Sequence, residues 1–362
     1  MQSNNKKKIC LVVSSLGKGG AERSSALLSR ILDSLGCEVH IVLIQNNIDY
    51  QYKGILFNLG ALKDKNNSKI AKLKRFLLFR NYIRKHQFDY IIDNRTRTPS
   101  FREFMLGKFV FDLSKTIMMV RSFKISSYFP KSRFVANYLV SRAYKVVGVS
   151  KEISEEIKKT YLLKDVPYIY NPIEEFEEVA TPEFEFEYVL AFGRLDDEIK
   201  NYSLLIDAYQ VSRLRERKVK LIILGNGKDE AFLKSKVTEQ NLNDDVLFFD
   251  FVKNPSGYIK TAKYVCLTSR VEGFPRSLVE ALSLDVPVIS VDCKSGPKEI
   301  IINGENGLLV ENYNPKALAN AMNSFIFEEN QYNSCKNNAP ESIAHLRLES
   351  ISAQWKQLLY QP

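Results

Sequence analysis

The sequence predicts an α/β protein of two domains, each built on a parallel sheet. Three observations carry this. The chain is 362 residues long, ample for two buried cores. Short apolar runs alternate with helix-length stretches along most of it, the rhythm of strand and covering helix. The stretch from Tyr264 to Val291 shows the repeating unit whole: apolar run, polar loop, short helix, and a second apolar run at once.

Taken in order, Ile9–Ser15 reads as the first strand. Lys6–Lys8 ahead of Ile9–Leu16 imitates a secretory signal, but Ser14 and Ser15 interrupt the run and a glycine loop, Leu16–Gly20, follows. Ala21–Leu35 reads as a helix, with Ala26, Leu27, Ile31 and Leu35 at helical spacing, and Val39–Ile44 as the next strand. Glycines after a first strand invite a dinucleotide reading. The full GxGxxG is absent, however, and the second strand ends in Ile44-Gln45 without an acid for a ribose. A tight turn is the other use of Gly19 and Gly20.

Lys63–His86 is the most basic segment, with nine Lys and Arg against Asp64 alone. Ile70, Leu73, Phe76, Leu77, Phe79 and Ile83 give it a broad apolar face. A basic amphipathic helix of this kind can lie on an anionic membrane. It can also cover the sheet with a solvated basic rim, and both can hold at once. Phe88–Asp93 reads as a strand ending in Asp93-Asn94-Arg95, and Thr116–Val120 as one ending in Arg121-Ser122. Phe123–Tyr138, which mixes aromatics with Lys124, Lys131 and Arg133, reads as a surface loop, plain or turned toward a ligand or membrane. Lys145–Val149 is a strand, and Ser150 suits the cap of the helix after it. Val166–Tyr170 leads to Asn171-Pro172. The acidic run Glu174–Glu187, with Pro182 and no periodicity, reads as an interdomain linker.

The second half repeats the pattern. Tyr188–Phe192 precedes Gly193-Arg194, Val219–Leu224 precedes Gly225-Asn226-Gly227, and Val246–Phe251 precedes Val252-Lys253. Tyr264–Thr268 ends in the loop holding Glu272, Gly273, Phe274 and Pro275. Pro275 suits the first turn of a helix, Arg276–Ser283, which carries Glu280. Val286–Val291 is the strand after it. Pro315–Phe327 and Leu346–Tyr360 read as helices, the last with the only Trp, Trp355.

Ligands of such sheets bind beyond the carboxyl ends of the strands. Glu272 stands at such an end, Gly273 permits close backbone approach, and a helix N-terminus suits a phosphate. A carboxylate accepts two hydroxyl hydrogen bonds, which fits a sugar ring or ribose. The plainer reading makes Glu272 a capping carboxylate and Glu280 a solvated helix residue. Arg194 and Lys200 flank Asp196, Asp197 and Glu198, and spacing alone fits acids neutralising two bases on a solvated loop.

Composition narrows the classes. Apolar and charged fractions, 45% and 26%, are ordinary for a globular protein. Five Cys (Cys10, Cys37, Cys266, Cys293, Cys335) without paired spacing read as reduced core residues of a cytosolic protein. No apolar run approaches the ~20 residues needed to span a membrane. Residues 1–172 hold 31 Lys and Arg against 13 Asp and Glu, whereas residues 173–362 hold 21 against 29. The basic half is expected to meet something anionic, a nucleic acid or a membrane surface. No zinc finger, RRM or other nucleic-acid module is visible, so nucleic acid is not the expected partner. No Asp-x-Asp pair is present, so no metal is expected. His40, His86 and His345 stand in no motif, which leaves a catalytic His or a general-base triad without support.

The run EGFPRSLVE, Glu272 to Glu280, resembles the E-x7-E motif of retaining GT-B glycosyltransferases. SGPKEIIINGENGLLV after it resembles the corresponding segment of glycosyltransferase family four. GKGGAER near the start and GRLDDEIKNYSLLIDAY in the middle extend the resemblance over nearly the whole chain. It implies a GT-B fold, two Rossmann-like domains facing a cleft. Residues 1–172 would bind the acceptor and 173–345 a nucleotide-sugar, with a UDP-sugar expected. The terminal helix, 346–362, would cross back to the first domain. The resemblance puts Arg194 and Lys200 on the donor diphosphate, Glu272 on the donor sugar and Glu280 on the ribose. Gly193, Gly225, Gly273, Phe274 and Pro275 would shape the donor site, and Val252 would hold the base through backbone. Gly19 and Gly20 would face the cleft. Many relatives carry a His near the position of Arg121, so Arg121 is the residue to test there.

No cofactor is implied beyond the nucleotide-sugar substrate. The implied acceptor is a glycan, carried on a polyprenyl diphosphate, in bacterial surface polysaccharide assembly such as lipopolysaccharide O-antigen or capsule. The expected location is cytoplasmic, peripheral on the inner face of the membrane through Lys63–Lys85. One rival is a GT-B nucleotide-sugar epimerase, for which no acid–base groups are identifiable. The other is a basic nucleic-acid-binding protein, which predicts strongly salt-dependent binding.

Overall fold

The computed structural model describes residues 6–173, Phe176 and residues 180–360. The chain divides into two units, Met1–Pro172 with Leu348–Pro362, and Ile173–Arg347. The first holds strands β1 (Lys8–Val13), β2 (Glu38–Leu43), β3 (Ile55–Asn58), β4 (Tyr90–Asp93), β5 (Thr116–Val120) and β6 (Lys145–Gly148). They form one parallel sheet in the order β3-β2-β1-β4-β5-β6. The second holds β7 (Tyr188–Phe192), β8 (Lys220–Leu224), β9 (Val246–Phe249), β10 (Val265–Leu267), β11 (Val288–Val291) and β12 (Gly307–Val310). Their order is β12-β11-β10-β7-β8-β9, again all parallel.

Parallel strands need crossovers, and crossovers cover both faces, so the strands are apolar throughout rather than alternating. Ile9 to Val13 are all buried, as are Leu221 to Leu224. In each sheet the strand order reverses once, between β1 and β4 and between β7 and β10. Such switch points leave a crevice at the carboxyl ends. The terminal helix Leu348–Tyr360 belongs to the first unit, where it buries Ile351, Trp355 and Leu359. The Tyr360 hydroxyl lies 3.6 Å from Cys37 Sγ. All five cysteines are buried and unpaired.

Several expectations need correction. Lys63–His86 is two helices, Leu59–Lys65 and Lys69–His86, parted at Asn66-Asn67-Ser68. Ser68 Oγ caps the second by accepting from Ala71 N at 3.2 Å, and side-chain capping of this kind starts a helix afresh. Its apolar residues do not share one face. Phe79 and Ile83 are buried, Phe79 edge-on to Phe111 at 5.6 Å, while Ile70, Leu73, Leu77 and Leu78 are exposed. Phe123–Tyr138 is not one loop. It includes most of a helix, Arg133–Val140, capped by Ser132 and burying Val135, Ala136, Leu139 and Val140. The basic residues around it masked that stripe. Within Val166–Tyr170, Tyr168 forms a single parallel bridge to Gly148. Of the expected linker, residues 174, 175 and 177–179 lie outside the described residues. No described helix is long and apolar enough to cross a membrane.

Candidate active site

In the second unit, the loops after β7 and β8 touch. Gly193 N donates to Leu224 O at 3.0 Å, and Leu195 N to Asn226 O at 2.9 Å. Gly193 and Gly225 have φ of +145° and +149°, where a side chain is strained. A Cβ on Gly225 would run into the Gly193 carbonyl oxygen, so this approach requires glycine. Asn226 continues the contact outward. Its Oδ1 accepts from Phe251 N at 2.8 Å, which pins the loop bearing the half-buried Val252.

Arg194 is exposed on the β7 loop and forms no ion pair among the described residues. The neighbouring acids are engaged elsewhere. Lys228 Nζ lies 3.0 Å from Glu198 and 3.5 Å from Asp196, and Asp197 accepts from the Ser203 hydroxyl at 2.8 Å. The plainer reading, in which these acids neutralise Arg194, is therefore not what the fold does.

Lys200 ends the short helix Asp197–Lys200, and its Nζ donates to Glu272 Oε1 at 2.6 Å. The Ser269 hydroxyl donates to the same oxygen at 2.7 Å. Thr268 Oγ1 donates to Lys200 O at 3.0 Å, so the loops after β7 and β10 are locked across the switch point. Gly193 shares this corner: a Cβ there would lie 3.3 Å from the Tyr202 hydroxyl and 3.7 Å from Lys200 Cε. Burial pushes the Tyr202 phenol up, and Glu272 and Asp197 add to it. Burial likewise pushes the Cys293 thiol up, with Glu272 adding, which makes it a poor nucleophile.

After Glu272 the chain is held from beneath. Glu272 N donates to Lys294 O at 2.6 Å, and Ser295 Oγ to Gly273 O at 2.9 Å. Phe274 and Pro275 are buried, and Pro275 stands just before the helix Arg276–Leu282 rather than within its first turn. Glu280 is buried on that helix and takes Arg276 Nη2 at 3.2 Å. It is thus a paired carboxylate, not a solvated one.

The first unit gathers a second polar group. Gly19, with φ of +144°, precedes the helix Gly20–Ser34. Arg121, beyond β5, donates from Nε to Asn94 Oδ1 at 2.8 Å and from Nη1 to Asn171 Oδ1 at 2.7 Å. Asn94 Nδ2 donates to Ser25 Oγ at 2.8 Å. Arg121 is therefore fixed at the carboxyl edge of the sheet by residues from three other segments. Beneath it lies a buried ion cluster. Arg95 bridges Asp93 at 2.8 Å and Glu103 at 3.0 Å, and Arg97 Nη1 lies 3.6 Å from Asp93. Burial alone would push the Asp93 carboxyl up, but Arg95 and Arg97 outweigh it and hold it below the usual carboxylate range.

The fold thus brings Gly193, Lys200 and Glu272 together, with Arg194 on the same loop as Gly193. Glu280 and Val252 stand on adjoining elements, and Gly19, Gly20 and Arg121 belong to the other unit. Sequence reasoning missed Ser269, Tyr202 and Arg276 in the second unit, and Asn94 and Asn171 as holders of Arg121. Only Arg276 carried a local signal, four residues before Glu280 on a helix. Among the described residues no group of three His, Cys, Asp or Glu side chains is placed to hold a metal ion.

Two six-stranded parallel sheets, with polar groups at the switch point of each, define a two-unit, doubly wound α/β protein. Residues 173–342, nearly the whole of the second unit, match the family described as Glycosyl transferases group 1. One relative is the N-acetylgalactosamine-N,N'-diacetylbacillosaminyl-diphospho-undecaprenol 4-alpha-N-acetylgalactosaminyltransferase of Campylobacter jejuni. It is 29% identical over 357 residues, covering 92% of this chain and 93% of that protein. Another is the amylovoran biosynthesis glycosyltransferase AmsD of Erwinia amylovora, 25% identical, with 94% and 96% covered. Among solved structures, Anabaena Alr3699/HepE in complex with UDP superposes with a TM-score of 0.77 at 19% identity, covering 98% of this chain and all of that one. The fold is GT-B.

Proposed function

We propose that this glycosyltransferase moves a sugar, with retention of configuration, from a UDP-sugar to a glycan carried on a polyprenyl diphosphate. The observation that carries this reading is the corner formed by Gly193, Lys200 and Glu272, with Arg194 beside it. Glycine backbone admits a diphosphate closely, and two cations stand beside it. Arg194 offers a fork to phosphate oxygens and Lys200 a point charge. Glu272, already fixed by Lys200 and Ser269, has a second oxygen to receive hydroxyls of the donor sugar. Glu280 would serve the ribose and the Val252 loop the base.

As the bond between the anomeric carbon and the diphosphate breaks, negative charge grows on the leaving oxygen. Lys200, held by Glu272, stands ready to stabilise it without reorganisation during reaction, and Arg194 on the neighbouring loop would add its fork. The acceptor hydroxyl attacks on the face the diphosphate leaves, and its proton passes to the departing phosphate oxygen. No protein nucleophile or metal is required, because cations already stand where the charge develops. Gly19, Gly20 and Arg121 belong to the acceptor half.

A UDP donor is supported by the UDP bound in the Anabaena structure, and a diphosphate-lipid acceptor by the Campylobacter enzyme's name. Helix Lys69–His86 would hold the protein on the inner face of the membrane, since its exposed Lys and Arg suit anionic headgroups. The test is mass spectrometry of the purified protein with UDP-, GDP- and CDP-sugars and a polyprenyl-diphosphate-linked sugar. Growth of the lipid-linked sugar by one residue from a UDP-sugar is expected. Epimerised donor without transfer, or no reaction with any donor, would overturn the reading.

A further inference from the structure

Two phenylalanines in the first unit are exposed far beyond what packing requires, Phe101 at 79% and Phe134 at 75%. They come from successive crossovers. Helix Ser100–Phe109 follows β4 and helix Arg133–Val140 follows β5, so both helices begin at the carboxyl edge of the sheet. Each Phe stands in the first turn. Ser132 N donates to Ser100 Oγ at 3.1 Å, which ties the two helix starts side by side. Further along, the helices are locked: Phe104 and Tyr138 rings lie 5.3 Å apart, and a Cβ on Gly107 would strike Leu139. The pair is therefore presented by a rigid mount.

The border of the pair is basic. Arg102, Lys131 and Arg133 are exposed beside it. Residues 94–142 contain ten Lys and Arg, of which only Arg95 and Arg97 are buried, against two acids, Asp112 and the buried Glu103. Apolar tips within a cationic border match a surface with anionic headgroups over an apolar interior. A second copy of the chain would bring like charges together at the same place. The same unit exposes aliphatic Ile70, Leu73 and Leu77 among lysines, which suits acyl chains and offers no planar face for stacked bases.

We propose that Phe101 and Phe134 form an interfacial anchor that enters an anionic lipid bilayer at the carboxyl edge of the first sheet. This rests on the membrane reading given for helix Lys69–His86, but uses other residues and fails separately from it. It would set that edge, with Arg121, against the headgroups where a diphosphate-lipid resides.

The test introduces tryptophan at each position, Phe101→Trp and Phe134→Trp, with buried Trp355 as a constant background. Emission is read on phosphatidylcholine vesicles with and without phosphatidylglycerol, and with brominated acyl chains. A blue shift and quenching on the anionic vesicles alone are expected. The double variant Phe101→Ser/Phe134→Ser should partition onto them roughly tenfold or more weakly. Its melting temperature and its hydrolysis of the donor should match the unaltered protein. The anchor is overturned if both tryptophans stay unquenched while the protein binds the vesicles, or if the double variant binds as well as the parent. It is equally overturned if the double variant instead dissolves a dimer or releases bound nucleic acid. If the parent binds no vesicle, both membrane contacts are wrong, and donor hydrolysis still tests the transferase reading by itself.

Discussion

Lys200 and Glu272, 72 residues apart in sequence, meet at 2.6 Å. Their contact joins the loops beyond β7 and β10, the two strands at which the second sheet reverses its order. On the proposed reading, this cation and carboxylate would set where a donor's diphosphate and sugar sit. Lys200 would then face two anions, Glu272 and the phosphates, and is fixed before the donor arrives.

Removing either cation should weaken donor turnover. Lys200→Ala and Arg194→Ala should each cost roughly 1.5–3 kcal/mol of transition-state binding, the range of a charge-assisted hydrogen bond. That is about ten- to a hundredfold in kcat/KM. Ser269→Ala removes a shorter lever on Glu272 and should cost about 0.5–1.5 kcal/mol. Steady-state transfer and donor hydrolysis check all three. Near-parental rates for both cation variants would sink the clamp.

Gly225→Ala should damage stability and donor binding together. The new methyl meets the Gly193 carbonyl at a φ of +149°, so one of the two loops must move. A strained residue of this kind costs on the order of 1–3 kcal/mol. Thermal melting and UDP titration calorimetry report the two effects. Unchanged melting with unchanged UDP affinity would show that the loops tolerate separation.

The contrast between these sites shows what a sequence can reveal. The strands were legible because parallel sheets demand unbroken apolar runs such as Val288–Val291 and Ile117–Val120. Gly193 and Glu272 stood out because each lies shortly past such a run, whereas Lys200 stood out only through the resemblance of its segment to glycosyltransferase family four. Their mutual contact did not, since strand order is not written in local spacing. The same holds for Arg121, whose holders Asn94 and Asn171 come from separate segments. The break at Asn66–Ser68 was carried by a capping serine, but an almost continuous basic run obscured it. The helix at Arg133 was hidden the same way.

The buried cluster under Arg121 should make stability sensitive to acid. Asp93 has its carboxyl held below the usual range by Arg95 and Arg97 despite burial. A folded pKa below the unfolded one gives stability that is full above about pH 4 and is lost as pH falls through the folded value. Asp93→Asn leaves two buried guanidiniums short of an anion, and should cost about 3–5 kcal/mol near neutrality. It should also flatten this part of the acid dependence. Urea denaturation across pH measures both, and a variant as stable as the parent would remove the cluster from the fold's support.

Transfer should proceed in EDTA. On the proposed reading, Arg194 and Lys200 would offset the diphosphate charge that a metal ion otherwise meets. Initial rates with and without chelator decide this. Complete loss, restored by Mg²⁺ or Mn²⁺, would mean that the two cations do not suffice.

The most direct measurement is the anomeric configuration of the product. The purified protein is given an α-linked UDP-sugar and a polyprenyl-diphosphate-linked acceptor, and the new linkage is read by NMR from its anomeric coupling. Same-face attack at the Gly193, Lys200 and Glu272 corner predicts an α linkage, formed about ten- to a hundredfold more slowly with Lys200→Ala. A β linkage, or no transfer from any nucleotide-sugar, would contradict it.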